Sequence, residues 1–435
     1  MQLFSRALAY SSIFIIYIVF MQFYAPLGIS WLDWHAQRIF NATEFLKING
    51  YFTSYGFTIW DTCSNCSLEY IAWNNNIYLS LYGISLLPYI LLNHFGGIEM
   101  LYFAGPIIDK IAIFSCGILI SELFIRSIKI HTHLPLIIIG SVCFTFFIIS
   151  PWTYKMLIAP WFEVYFLMFF LLGMLFFQYA KNALGLASFF VASIFHAQWA
   201  IVITVFYILV VISAQILGKK NNSIKYFPFL TNESKQIFKT LLVLLIPVLA
   251  FISIRIFADR FLEGGLGSSI FFRIGISGDD IHNGGLLGAI QFLGGNRITQ
   301  CIQSPLTNII SNDLTIKIAL FNCTLSILGM IIISLISIAG AYFFIKSSTN
   351  AKKIFIPLIF SLIFFITIFQ QSLSVHLMGY SFIFSSIFTL GLSHLLITAN
   401  NRFNSQVLGL VFSFPLIFGI LILSIRVNFL TGLNG

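Results

Sequence analysis

The residues of this chain best suited to chemistry are an early carboxylate and a scattered set of cations. Asp33 lies in WLDWHAQR, Lys155 in PWTYKMLIAPW, Arg297 in LGGNRITQ and His376 in QQSLSVHLMGY. A carboxylate can take a proton from a hydroxyl nucleophile, and fixed cations or other donors can stabilise a departing phosphate. Together they would suit transfer of a group from a phosphate-linked donor. Each also has a plainer reading. Asp33 could cap the helix that follows it, Lys155 could snorkel, Arg297 could be a surface charge beside Gly294 and Gly295, and His376 could satisfy a neighbouring helix. Glu163 would either contact substrate or complement a helix dipole at the outer start of a span. His35, Arg38, Trp60 and Asp61, in the same early segment as Asp33, complete the substrate-contact candidates.

The elements that must position these groups are overwhelmingly apolar. Of 435 residues, 59% are hydrophobic and 9% charged, 50 are Phe, and the mean hydropathy is +0.96. A water-soluble core could not hide that much apolar surface, so the composition predicts an all-α polytopic membrane protein and excludes disorder, collagen and coiled coil. The formal charge of +9 comes from 23 Lys and Arg spread over short loops. With no basic face or RNA-binding motif, nucleic acid is not expected as a partner.

Apolar runs near 8–26, 105–125, 134–150, 161–179, 184–217, 240–258, 315–345, 354–369, 377–398 and 404–425 are candidate spans. The first is too long for a signal-peptide core and reads as an anchor. At about 1.5 Å per residue, 184–217 is too long for one crossing and divides near His196 and Gln198. Residues 77–93 decide the direction of everything downstream. If they lie on or within the outer leaflet, eleven spans place the N-terminus inside and 13 of the 23 Lys and Arg on the inner side, the lysine clusters at 219–239 and 346–353 included. A crossing there would put those clusters outside. The acidic residues, not used in this choice, follow it: only Glu122 and Glu233 fall inside, and 12 of 14 fall outside or near the outer surface.

Two exoplasmic segments are long, 27–104 and 259–314, within a single transmembrane domain of residues 1–435. In the first, a helical reading of WLDWHAQRIFNATEFLK gathers Asp33, Gln37, Asn41 and Glu44 on one arc and Leu32, Ala36, Ile39, Thr43 and Leu46 opposite. This is an amphipathic helix on the membrane surface, ending at Asn49-Gly50. The aromatic-rich segment after it suits a membrane interface or stacking on a sugar ring. The second loop is Gly-rich without nucleotide-binding spacing, and reads as a lid or re-entrant segment. Cys63 and Cys66 form an isolated CxxC with no second pair to complete a zinc site, so a local disulfide is expected there. Asp109 and Lys110, at the outer end of a span, are expected to pair or cap.

The layout resembles the GT-C class of integral membrane glycosyltransferases. One N-terminal span is followed by Asp33 in an exoplasmic loop, then by partly embedded helices, then by a span ending at Ser150-Pro151 with Glu163 beyond it. The resemblance covers residues 1–200 or so and is nearest to the protein mannosyltransferase and aminoarabinose transferase layout. It implies a polyprenyl-phosphate-linked sugar as donor, an exoplasmic glycan, lipid or protein as acceptor, Asp33 as the catalytic carboxylate and Glu163 as the second acidic position. It places the enzyme in the inner or plasma membrane of a cell envelope, with its site on the periplasmic or luminal side. The loop has no Asp-x-Asp, so no metal or other cofactor is expected, although the Asp33-Trp34-His35 spacing leaves a divalent metal open. The competing functions are a transporter or flippase of a lipid or glycan, which would place ionisable residues deep in its spans, and an O-antigen-type polymerase or ligase.

Overall fold

The computed structural model describes residues 2–24, 34–50, 58–59, 77–78, 86–127, 135–150, 163–179, 181–195 and 377–403, with shorter stretches within 153–157, 204–208, 241–253, 328–346 and 417–420. Among these, the apolar runs have become helices. They are α1 (Gln2–Tyr24), α2 (Trp34–Asn49), α3 (Leu87–Ser127), α4 (Leu136–Ile149), α5 (Glu163–Gln178) and α6 (Asn182–Phe195), then α7 (Leu335–Phe344) and α8 (Leu377–Phe403). The described fold is all-α apart from one antiparallel ladder of two residues per strand, β1 (Thr58–Ile59) with β2 (Ile77–Tyr78), in the register Thr58 to Tyr78 and Ile59 to Ile77. Leu87–Arg126 is the one helix among the described residues long and apolar enough to cross a membrane.

Neighbouring helices alternate in direction. Arg6 near the start of α1 meets Glu122 near the end of α3, and Phe14 meets Phe114 with ring centroids 5.1 Å apart, so α1 and α3 are antiparallel. A Cβ on Gly140 would meet Ile125 and one on Gly117 would meet Phe144, which sets α4 antiparallel to α3. α5 runs parallel to α3: Tyr165 bonds Asp109 and Tyr179, just past α5, bonds Arg126. α6 folds back on α5, pairing Phe177 and then Phe170 with Phe189, and Tyr165 with Phe195. The bundle therefore has an Arg6 end and a Ser150 end, with the last residues of α4 at the latter.

Beside a buried apolar core, many apolar side chains point outward. On α1, Phe4, Leu8, Ile15 and Val19 share one exposed stripe, while Arg6, Tyr10 and Tyr17 are buried on the opposite face. On α3, Phe103, Ile107 and Ile111 are exposed while Asp109, Ser121 and Glu122 are buried. On these two helices, exposed apolar stripes opposite buried ionisable residues reverse the usual soluble pattern.

α3 is not straight. Gly97 adopts φ 71° and ψ −175°, a backbone region open to glycine alone. Helical geometry resumes on both sides, so residues 87–96 form a short arm against the long arm 98–127. Tyr89 and Asp109 are 20 residues apart, which is about 30 Å along an unbroken helix, yet the Tyr89 hydroxyl lies 2.7 Å from Asp109 Oδ1. The short arm must double back along the long one. Asp109, expected to pair or cap, sits within the long arm, is buried and is paired through its hydrogen bond from Tyr89.

Candidate functional site

Three structures meet at the Ser150 end. The first is the seat of α2. Its helix runs to Asn49 and stops at Gly50, which takes φ 75°, the turn expected from Asn49-Gly50. Ile39, Phe40, Ala42, Thr43, Phe45 and Leu46 are buried, and the helix rests on both arms of α3 near the Gly97 turn. Phe40 packs on Tyr102 of the long arm. Asn93 of the short arm donates to Thr43 Oγ1 at 3.2 Å and Glu44 Oε2 at 2.9 Å, and its carbonyl oxygen accepts from Lys47 Nζ at 3.4 Å. Ile39, Thr43 and Leu46 of the apolar arc anticipated for a membrane surface are thus docked on protein.

The second structure is the carboxylate of Asp109. Its Oδ1 accepts hydrogen bonds of 2.7 Å from both Tyr89 and Tyr165. The two rings stand edge to face with centroids 6.1 Å apart. Phenols donating to a carboxylate form short, charge-assisted bonds, and they are worth most where water is excluded. Asp109 thereby joins the short arm, the long arm and α5 at one atom.

The third structure is a group of buried hydroxyls where the end of α4 meets Ser385 of α8. Ser385 Oγ lies 2.9 Å from Ser150 Oγ and 2.7 Å from Thr153 Oγ1, and the Thr153 amide also donates to Ser150 Oγ. Cys116 and Cys143 are buried free thiols, as their apolar runs imply.

His35 and Arg38 lie on the first turns of α2, and Glu163 is the first residue of α5, two positions before Tyr165. Asp33 immediately precedes α2, and His376 immediately precedes α8. Asp33, Trp60, Asp61, Lys155, Arg297 and His376 lie outside the described residues, as do Cys63 and Cys66. The structure therefore brings together the elements bearing His35, Arg38 and Glu163 at one end of the bundle, all of them in contact with α3. Among the described residues, no group of three His, Cys, Asp or Glu is close enough to share a metal ion.

From the sequence, Asp109 has only a pairing or capping role, and nothing singles out Tyr89, Tyr165 or Asn93. A signal was present for Asp109, because an ionisable residue inside an apolar run needs a partner. Its partners, 20 and 56 positions away, carried none.

Comparison of the chain with protein-family models, with curated proteins and with solved structures finds no match. What the fold and the site define is an all-α protein with outward-facing apolar helices and a polar cluster at one end.

Proposed function

We propose that this chain is a multi-pass membrane glycosyltransferase with eleven spans. It moves a sugar from a polyprenyl-phosphate-linked donor to an exoplasmic glycan, lipid or protein, with Asp33 as the base. The outward apolar faces of α1 and α3 support a bilayer as the surrounding medium. The alternating helix directions support repeated crossing. Arg6, Arg126 and Lys181 belong to the Arg6 end, in keeping with that end facing inward.

The observation that carries the enzymatic reading is the docking of α2 on the two arms of α3. The helix that directly follows Asp33 is held by Asn93 and Tyr102, and α5, which starts at Glu163, is tied to the same α3. A base acts only when held within hydrogen-bond reach of its proton, and an early loop anchored in this way supplies such a mount.

One observation favours the second reading. Asp109 is 3% exposed within a span candidate, and carboxylates at such depth are typical of transporters. The two readings separate in proteoliposomes offered a panel of polyprenyl-phosphate sugars and, separately, a fluorescent polyprenyl-linked glycan. Release of free polyprenyl phosphate that depends on acceptor supports the transferase. Movement of the intact fluorescent lipid between leaflets without any release supports the transporter.

A further inference from the structure

We infer that Asp109 is a positioning residue that fixes the first exoplasmic segment relative to the rest of the bundle; this rests on the reading of Asp33 as the base and adds the residue that holds its mount. Besides its apolar packing, the short arm of α3 is tied to other elements by two sets of side-chain hydrogen bonds. At one end Asn93 grips Thr43, Glu44 and Lys47 of α2. At the other, Tyr89 donates to Asp109 Oδ1.

The same oxygen accepts from Tyr165 on α5. A continuous path therefore runs from α2 through Asn93, the short arm, Tyr89, Asp109 and Tyr165 to the start of α5 at Glu163. Every link is a hydrogen bond between side chains or a stretch of helix. The junction is one atom, held by two phenols that are 0% and 4% exposed, so water cannot substitute for a lost donor. Without the carboxylate, the short arm keeps its glycine turn but loses the bond that sets its angle to the long arm. α2 moves with it. A displacement of about an ångström at a reacting group can cost up to a hundredfold in rate.

The test measures geometry first and activity second. Spin labels are placed at Ile48 on α2 and Leu184 on α6, both exposed, with Cys63, Cys66, Cys301 and Cys323 changed to serine, and the label-to-label distance is read by pulsed EPR in nanodiscs. The wild-type protein should give one narrow distribution. Asp109→Ala should broaden or shift it, and Asp109→Asn, whose amide oxygen can still accept both phenols, should restore it. If Asp109→Ala does not fold, Tyr89→Phe removes a single oxygen and should broaden the distribution in the same way. In turnover, Tyr89→Phe should lower kcat and leave the donor KM nearly unchanged. An unaltered distribution in a folded Asp109→Ala or Tyr89→Phe protein overturns the positioning role, whatever the activity. A shifted distribution in a protein whose wild type transfers no sugar leaves the positioning role standing and removes the glycosyltransferase reading.

Discussion

Arg6 and Glu122, 116 positions apart, meet in a buried two-point contact, Nε to Oε1 at 2.8 Å and Nη2 to Oε2 at 3.1 Å. The Tyr10 hydroxyl adds a longer bond of 3.4 Å to Oε1. This pair fixes the antiparallel order of α1 and α3 and orients the rest of the bundle. Removing one partner strands the other charge away from water, which typically costs about 3–5 kcal/mol, whereas replacing both by apolar groups is often nearly neutral. Glu122→Gln should therefore lower the unfolding midpoint in detergent by many degrees. The double variant Arg6→Met with Glu122→Leu should recover much of the loss. Equal midpoints for wild type and Glu122→Gln would contradict the pairing.

Gly97 offers a cleaner test of the doubled-back arm. Nothing lies within 4 Å of a Cβ added there, so a side chain meets no clash, and only the backbone conformation opposes it. Gly97→Ala should cost about 1–3 kcal/mol through strain alone. Thermal melts should show this, with Gly419→Ala, helical and also in open space, as a control that should be no less stable than wild type.

α7 and α8 cross at Gly340 and Gly391, where a Cβ on either residue would collide with backbone, Gly391 O in one case and Ser337 O in the other. Backbone cannot yield as a side-chain tip can. Gly391→Ala should push the helices apart and cut the yield of monodisperse protein sharply in size-exclusion profiles, and a normal profile would remove the close crossing. Small residues at helix crossings are a recurring device of membrane bundles.

The eleven-span topology predicts Lys225 inside and Asn283 outside. Cysteines introduced at these positions should react oppositely with a membrane-impermeant maleimide added to intact cells. Labelling of position 225 from outside, or failure at 283 until the membrane is permeabilised, would invert the assignment.

The sequence made some of this arrangement readable. Long, predominantly apolar runs such as 134–150 and 161–179 read as helices, and Leu136–Ile149 and Glu163–Gln178 fall inside them. The end of α2 was equally plain, because Asn49-Gly50 is a local signal that no tertiary contact needs to confirm. α6 (Asn182–Phe195) covers the first part of the run 184–217, and the division expected near His196 lies outside the described residues. α3 was harder: the apolar run 105–125 gave its core, but the arm before Gly97 is apolar too, and its direction depends on Tyr89 reaching Asp109. Composition cannot encode that bond. The junction of Ser150 with Ser385, 235 positions apart, was hidden for the same reason, since a serine in an apolar run looks alike whether it faces a partner or its own helix. For Asp33, the spacing that singled it out concerns what it could do, and α2 supplies the element beside it.

The central claim is that Asp33 removes the acceptor proton, and the most direct measurement is single-turnover sugar transfer by wild-type, Asp33→Asn and Asp33→Glu protein in nanodiscs. The amide keeps the shape of the carboxylate but cannot take a proton. Transfer should fall by about a hundredfold or more in Asp33→Asn, donor binding measured in parallel should persist, and Asp33→Glu should retain a measurable fraction. Transfer by Asp33→Asn at the wild-type rate would contradict the claim and pass the role to Glu163 or Asp61.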